Sequence, residues 1–170
     1  LPLTNIEIKA SSVNHAGIRE ILKSKNAEFK GIDHQVDIYF KVKSGRLKLR
    51  EGNIENHLIH YNRENKSGPK QSDLILYKPV PGSNLKEILI KALGILVVVE
   101  KKREIYFIDN VKFHLDAVNG LGTFVEIEAI DSAGSMEKEK LFEQCNYYRK
   151  LFRINNEDLI AESYSDLLLV

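Results

Sequence analysis

Apolar and polar residues alternate with period two through most of this chain, a pattern that requires strands with two unlike faces. The runs fall at 3–10, 35–43, 46–51, 57–64, 73–80, 97–108, 111–118 and 123–130. Turn chemistry separates most of them: Ser44-Gly45, Gly52-Asn53, Ser67-Gly68-Pro69, Asp109-Asn110 and Asn119-Gly120-Leu121-Gly122. Connections this short predict antiparallel hairpins. Eight strands joined this way suggest a closed antiparallel β-barrel, because closure removes exposed edges. An open sheet or two packed sheets fit the same pattern. Helices complete an α+β fold with elements flanking the barrel. One follows Asn14, with Ile18, Ile21 and Leu22 on one face. Another follows Asn84, with Leu85, Ile88, Leu89 and Ala92 inward and Gly94 as a stop. A third follows Ser135, with a stripe of Leu141, Cys145, Tyr148 and Phe152. Tyr147 and Tyr148 are expected to pack that helix on the barrel.

The length of 170 residues, 43% of them hydrophobic, predicts one domain over 1–170 with a substantial core. Lys and Arg number 25 against 24 Asp and Glu. That balance argues against extensive nucleic-acid contact and against an anionic membrane surface. Cys145 is the only cysteine, which excludes an intrachain disulfide framework. The most apolar stretch, 88–99, is interrupted by Lys91 and is too short to span a bilayer. Leu1-Pro2-Leu3-Thr4 does not read as a signal peptide. The expectation is a soluble cytoplasmic protein with no membrane partner; a homodimer is left open.

Charge is balanced overall but segregated by strand. Asn5, Glu7 and Lys9 share one face of a run whose other face holds Ile6 and Ile8. Arg46, Lys48 and Arg50 repeat this geometry with cations, and Glu126 and Glu128 with carboxylates. Lys101 with Arg103, His114 with Asp116, and Tyr61 with Arg63 are further co-facial pairs. Any one of these runs is an ordinary solvated sheet face. Together they differ, because Ile6, Ile8, Leu47, Leu49, Val125 and Ile127 need apolar cover. If the helices supply it, the charged faces point into the barrel. A basic interior then needs an anion, and the carboxylates beside it suit a divalent cation with oxygen ligands. A metal-bound triphosphate satisfies both.

These residues carry a family resemblance. Asn5-Ile6-Glu7-Ile8-Lys9-Ala10 resembles the N-terminal Glu-x-Glu-x-Lys motif of the CYTH domain, the triphosphate tunnel metalloenzyme superfamily. The likeness continues through 35–40, 45–51, 61–63, 100–103 and 114–128. Ser163-Tyr164-Ser165-Asp166-Leu167-Leu168 is similar to the ending of the class IV adenylyl cyclase branch. The resemblance implies an eight-stranded tunnel in which Lys9, Lys48, Arg50, Arg63, Lys101 and Arg103 bind phosphate oxygens. It implies Glu7, Glu126 and Glu128 as metal ligands for Mg²⁺ or Mn²⁺, with Asp116 a further candidate. His114 and Lys78 are possible tunnel residues. Asn5 departs from the motif: it stands where the family has its first Glu, and a neutral carbonyl holds a cation less firmly.

The substrate expected from this likeness is a nucleoside triphosphate or inorganic triphosphate. Class IV-like cyclisation of ATP to cyclic AMP and pyrophosphate leads. Hydrolysis to orthophosphate is the alternative, and a non-catalytic nucleotide- or polyphosphate-binding module is a third option, favoured by Asn5. No P-loop, Cys-x-x-Cys or His-Glu-x-x-His motif is present. His57 and His60 fall on opposite strand faces, and Cys145 reads as core.

Overall fold

A computed structural model describes residues 2–170; Leu1, the first residue of the expected 1–170 domain, lies outside the described residues. Eight antiparallel strands close into a barrel: β1 (Pro2–Ser11), β2 (Glu28–Phe40), β3 (Arg46–Glu51), β4 (His57–Arg63), β5 (Lys70–Tyr77), β6 (Ile95–Ile108), β7 (Val111–Val118) and β8 (Gly122–Asp131). Their order around the wall is β1-β5-β4-β3-β2-β6-β7-β8. The helices are α1 (His15–Ser24), α2 (Leu85–Leu93), α3 (Lys138–Leu151) and α4 (Tyr164–Leu168), with a 3₁₀ turn at Asn156–Asp158. Among the described residues, no helix is long and apolar enough to cross a membrane.

Period two decides which face of each strand meets what. On β1 and β8, Ile6, Ile8, Val125 and Ile127 point outward and are buried under α1 and α3. Ile18 and Leu22 of α1 and Leu141 and Cys145 of α3 complete that cluster, and Phe113 of β7 sits edge-on to Tyr148 at a centroid distance of 4.8 Å. Asn14 caps α1 by accepting from the Gly17 amide at 3.1 Å. A second outer cluster places α2 over Ile38, Phe40, Leu47 and Leu49. Full burial of such side chains contributes about 1.5–3 kcal/mol each.

The observed elements depart from expectation in several places, among them a fourth helix, α4, and a β2 that ends at Phe40. Strand β2 begins at Glu28, not 35, because 28–34 pairs with the far half of β6 across a bulge at Gly31, whose φ of 124° suits glycine. Strand β5 is shifted to Lys70–Tyr77, since its polar start, Lys70 and Ser72, faces inward. Helix α2 packs through Leu85, Leu89, Ile90 and Leu93, leaving Ile88 and Ala92 exposed. Both stripes are helical faces, and the strands beneath select between them. Tyr147 is half exposed, and only Tyr148 of that pair reaches the barrel wall.

Candidate active site

The inward faces of the strands converge on one cavity. Its wall includes Asn5, Glu7, Lys9, Lys48, Arg50, Arg63, Lys101, Arg103, His114, Glu126 and Glu128. Eleven of the sequence-predicted site residues thus come together; Asp116 and Lys78 do not line it. Lys78 is exposed, one residue beyond β5, where the strand has ended before it can turn inward. Asp116 is fully buried behind Arg103. It accepts from Arg103 Nε and Nη2, each at 2.7 Å, and from Tyr164 Oη at 2.7 Å. With its oxygens so engaged, Asp116 positions Arg103, whose Nη2 also donates to Glu126 Oε1 at 2.7 Å.

One wall is cationic. Asp37 of β2 lies opposite Arg50 of β3 and accepts both arms of its guanidinium at 2.9 Å. Lys101 Nζ donates to the same carboxylate at 2.7 Å, and Lys48 Nζ stands 3.4 Å away. Burial would raise the Asp37 carboxyl, but Arg50, Lys101 and Lys48 hold it well below the usual range. Lys48 also lies over the rings of Tyr39 and Tyr61, 5.4 Å from each centroid. Glu55, in the loop between β3 and β4, reaches in to Arg50 at 3.2 Å and pairs with Lys112. Asp33 anchors that loop by accepting the Ile54 and Glu55 amides at 2.9 Å.

The other wall is acidic. Strand pairing sets Glu7 opposite Glu128, Lys9 opposite Glu126 and His114 opposite Glu126. One ligand atom each from His114, Glu126 and Glu128 lies within 4.8 Å of the others. Burial pushes the Glu128 carboxyl up to about 7; Lys112 opposes this, while Glu7 and Glu126 reinforce it. Glu126 goes the other way, as the Lys9 and Arg103 cations outweigh its burial. Burial and the nearby Arg103 lower His114 to about 4, so its imidazole is neutral near pH 7. Arg63 donates to Glu7 at 2.6 Å but keeps Nε and Nη2 unpartnered. Asn5 Oδ1 and both nitrogens of His114 are likewise buried without partners. Buried polar groups left open in this way are rare and leave room for a water, an ion or a ligand. Crowded carboxylates beside open neutral donors fit a divalent cation.

Residues 159–166 close over the end of the barrel near Lys9. The Ile160 amide donates to the Lys9 carbonyl at 2.9 Å, and Lys9 Nζ sits 4.0 Å from the centroid of Tyr164. Ser163 caps α4 in a reciprocal box with Asp166, whose carboxylate also meets Arg46 at 2.5 Å. Arg46 therefore serves α4, while Lys48 and Arg50 face the cavity. Several lining or supporting residues were not singled out from sequence. Asp37 and Lys112 carried a usable signal, since each extends a visible alternation: 35-37-39 and 112-114-116. Tyr164 lay within the 163–168 motif but was given no role there, and Glu55 carried no signal, because a loop places it.

A model of the CYTH domain matches residues 3–164. The chain belongs to the CYTH domain family. Across 97% of this CYTH chain and 98% of the relative, it is 28% identical to a Methanocaldococcus jannaschii protein named "Putative adenylate cyclase". The solved structure of PH1012 protein from Pyrococcus horikoshii OT3 superposes with a TM-score of 0.74 at 25% identity, covering 96% of this chain and 98% of that one. A Vibrio parahaemolyticus structure described in the same words as the Methanocaldococcus protein shares the fold, with a TM-score of 0.75 at 16% identity and 98% coverage of both chains. His57 lines the CYTH barrel while His60 faces outward to the Ser44 carbonyl at 3.0 Å, as their strand parity requires.

Proposed function

We propose that this CYTH protein is a cytoplasmic, metal-dependent enzyme that binds a nucleoside triphosphate in its barrel. Its reaction is class IV-like, converting ATP to cyclic AMP and pyrophosphate. The observation that carries this reading is the meeting of a cationic wall and an acidic wall across one cavity. Lys48, Arg50 and Lys101 would hold phosphate oxygens from one side, and Lys9, Arg63 and Arg103 from the other. Guanidinium groups suit phosphate because two parallel N–H bonds match two oxygens. The unpartnered nitrogens of Arg63 are such donors. Glu7, Glu126 and Glu128 would hold Mg²⁺ or Mn²⁺. That ion would supply Lewis-acid polarisation of the phosphoryl group.

The residues themselves orient the chain and stabilise its charge. Asp37 keeps three cations in place before substrate arrives, so little reorganisation is needed during transfer. Asp116 and Tyr164 do the same for Arg103. In cyclisation the ribose 3′-hydroxyl attacks the α-phosphorus and gives up its proton to water, the bond to pyrophosphate breaks, and the growing charge on the leaving group is met by these side chains. Leu3, Ile59, Leu74, Leu76 and Ile130 line the same cavity. Such an apolar surface favours a substrate with an organic moiety over inorganic triphosphate.

Product analysis tests this. Purified protein with ATP, and separately with inorganic triphosphate, is assayed in Mg²⁺ and in Mn²⁺, with Glu126→Ala as control. Cyclic AMP with pyrophosphate, lost in the variant, is expected. Orthophosphate release would make the protein a triphosphatase. Salt-sensitive binding without product would make it a binding module.

A further inference from the structure

His114 is 1% exposed, faces the barrel cavity and has no hydrogen-bond partner at either ring nitrogen among the described residues. A histidine held in a core for packing alone normally satisfies at least one nitrogen. His114 Nδ1 stands 3.7 Å from Glu128 Oε1 and 3.9 Å from Glu126 Oε1, too far for hydrogen bonds to either. These separations suit a different arrangement. Two donors each about 2.0–2.2 Å from a common ion lie at most about 4.4 Å apart. Asn5 Oδ1, also buried and unpartnered, opens on the same cavity. Where a carboxylate would stand in the expected motif there is a neutral oxygen, and elsewhere on the same cavity wall there is an open nitrogen.

We infer that His114 is a metal ligand, and that Nδ1 with Glu126 and Glu128 forms a mixed nitrogen–oxygen centre selecting Mn²⁺ over Mg²⁺. The inference rests on the reading that the barrel holds a divalent cation. Mg²⁺ prefers hard oxygen donors and dehydrates reluctantly, so exchanging one carboxylate for an amide weakens its hold. Imidazole nitrogen compensates in part for Mn²⁺, a transition ion that accepts a nitrogen donor more readily than Mg²⁺ does, although Mn²⁺ is the weakest binder of its series. The β7–β8 register makes the centre possible: it sets His114 beside Glu126, and the alternation of β8 returns Glu128 to the same face.

Pulsed EPR of Mn²⁺ added to the full-length protein, without nucleotide, reads the coordination directly. Nitrogen hyperfine coupling of a ligated imidazole is expected in the wild type and is expected to vanish in His114→Gln. In competition titrations the variant should lose about 10–100-fold in Mn²⁺ affinity and less than about threefold for Mg²⁺. Bound Mn²⁺ with no nitrogen coupling in the wild type would overturn the inference while leaving a metal-dependent enzyme intact. Equal losses for both ions would overturn the selectivity. Absence of any bound divalent cation would remove both this inference and the metal-dependent reading. The wild-type spectrum decides the ligand even if His114→Gln folds poorly.

Discussion

The two walls of the barrel treat their charges in different ways. On the β2–β3–β6 side, one carboxylate, Asp37, serves three cations, and the groups are closed among themselves. On the β1–β7–β8 side, Glu7, Glu126 and Glu128 crowd together beside Asn5 and His114, which have open donor atoms. The first wall is preorganised by its own ion pairs. The second pairs Glu7 with Arg63 and Glu126 with Arg103 but leaves Asn5 Oδ1 and both nitrogens of His114 without a partner. The lesson is that buried charge by itself does not identify a site; unmet valence does.

The comparison is broken most severely at Asp37. Asp37→Asn leaves Arg50, Lys101 and Lys48 buried with their shared counter-charge gone, and should cost about 3–5 kcal/mol in urea unfolding. A loss below about 1 kcal/mol would mean that the cationic wall is not held by Asp37. On the acidic wall the signature is pH dependence. The Glu128 carboxyl lies at about 7 in the folded protein against an ordinary 4.5. Between those values the folded state keeps a proton that the unfolded chain releases. Stability of the metal-free protein should therefore fall as pH rises from about 4.5 to about 7, by at most about 3 kcal/mol relative to Glu128→Gln. Added Mn²⁺ should flatten that difference, and chemical unfolding across the pH series measures it.

A finer test adds charge where the acidic wall lacks it. Asn5→Glu should raise divalent-cation affinity about tenfold, about 1.4 kcal/mol, read by calorimetric titration. It should also lower metal-free stability, because the new carboxylate joins Glu7 and Glu128. The smallest effect is expected outside both walls. Arg46 and Asp166 are each about one-quarter exposed, so Arg46→Ala should cost no more than about 1 kcal/mol in thermal unfolding. It should leave metal affinity unchanged.

Much of this was legible in the residues. The alternation of Ile6-Glu7-Ile8-Lys9, Leu47-Lys48-Leu49-Arg50 and Val125-Glu126-Ile127-Glu128 requires an apolar face and a charged face, whatever the topology. Once helices cover the apolar faces, the charged ones must point inward. That reasoning, together with the family resemblance that selected them, led to six cations and three glutamates that do line one cavity. It misplaced Asp116, which has the right parity for the interior but sits behind Arg103 and Tyr164. Lys78 failed for a related reason: its strand ends too soon.

The chain's local pattern determined most of each strand and the parity of the charged positions within it, because side-chain direction along a strand follows from backbone geometry alone. Register, closure and partner choice belonged to the tertiary structure. Whether a carboxylate clamps an arginine, as Asp116 does, or stands open beside a histidine, as Glu128 does, depends on which strands are neighbours and how far each is shifted. Burial then sets the electrostatics, lowering Asp37 and raising Glu128 within one barrel. No spacing in the sequence encodes that difference, because burial and charges on neighbouring strands, Arg50, Lys101 and Lys48 for Asp37 and Lys112 and Glu7 for Glu128, set most of the field at each group.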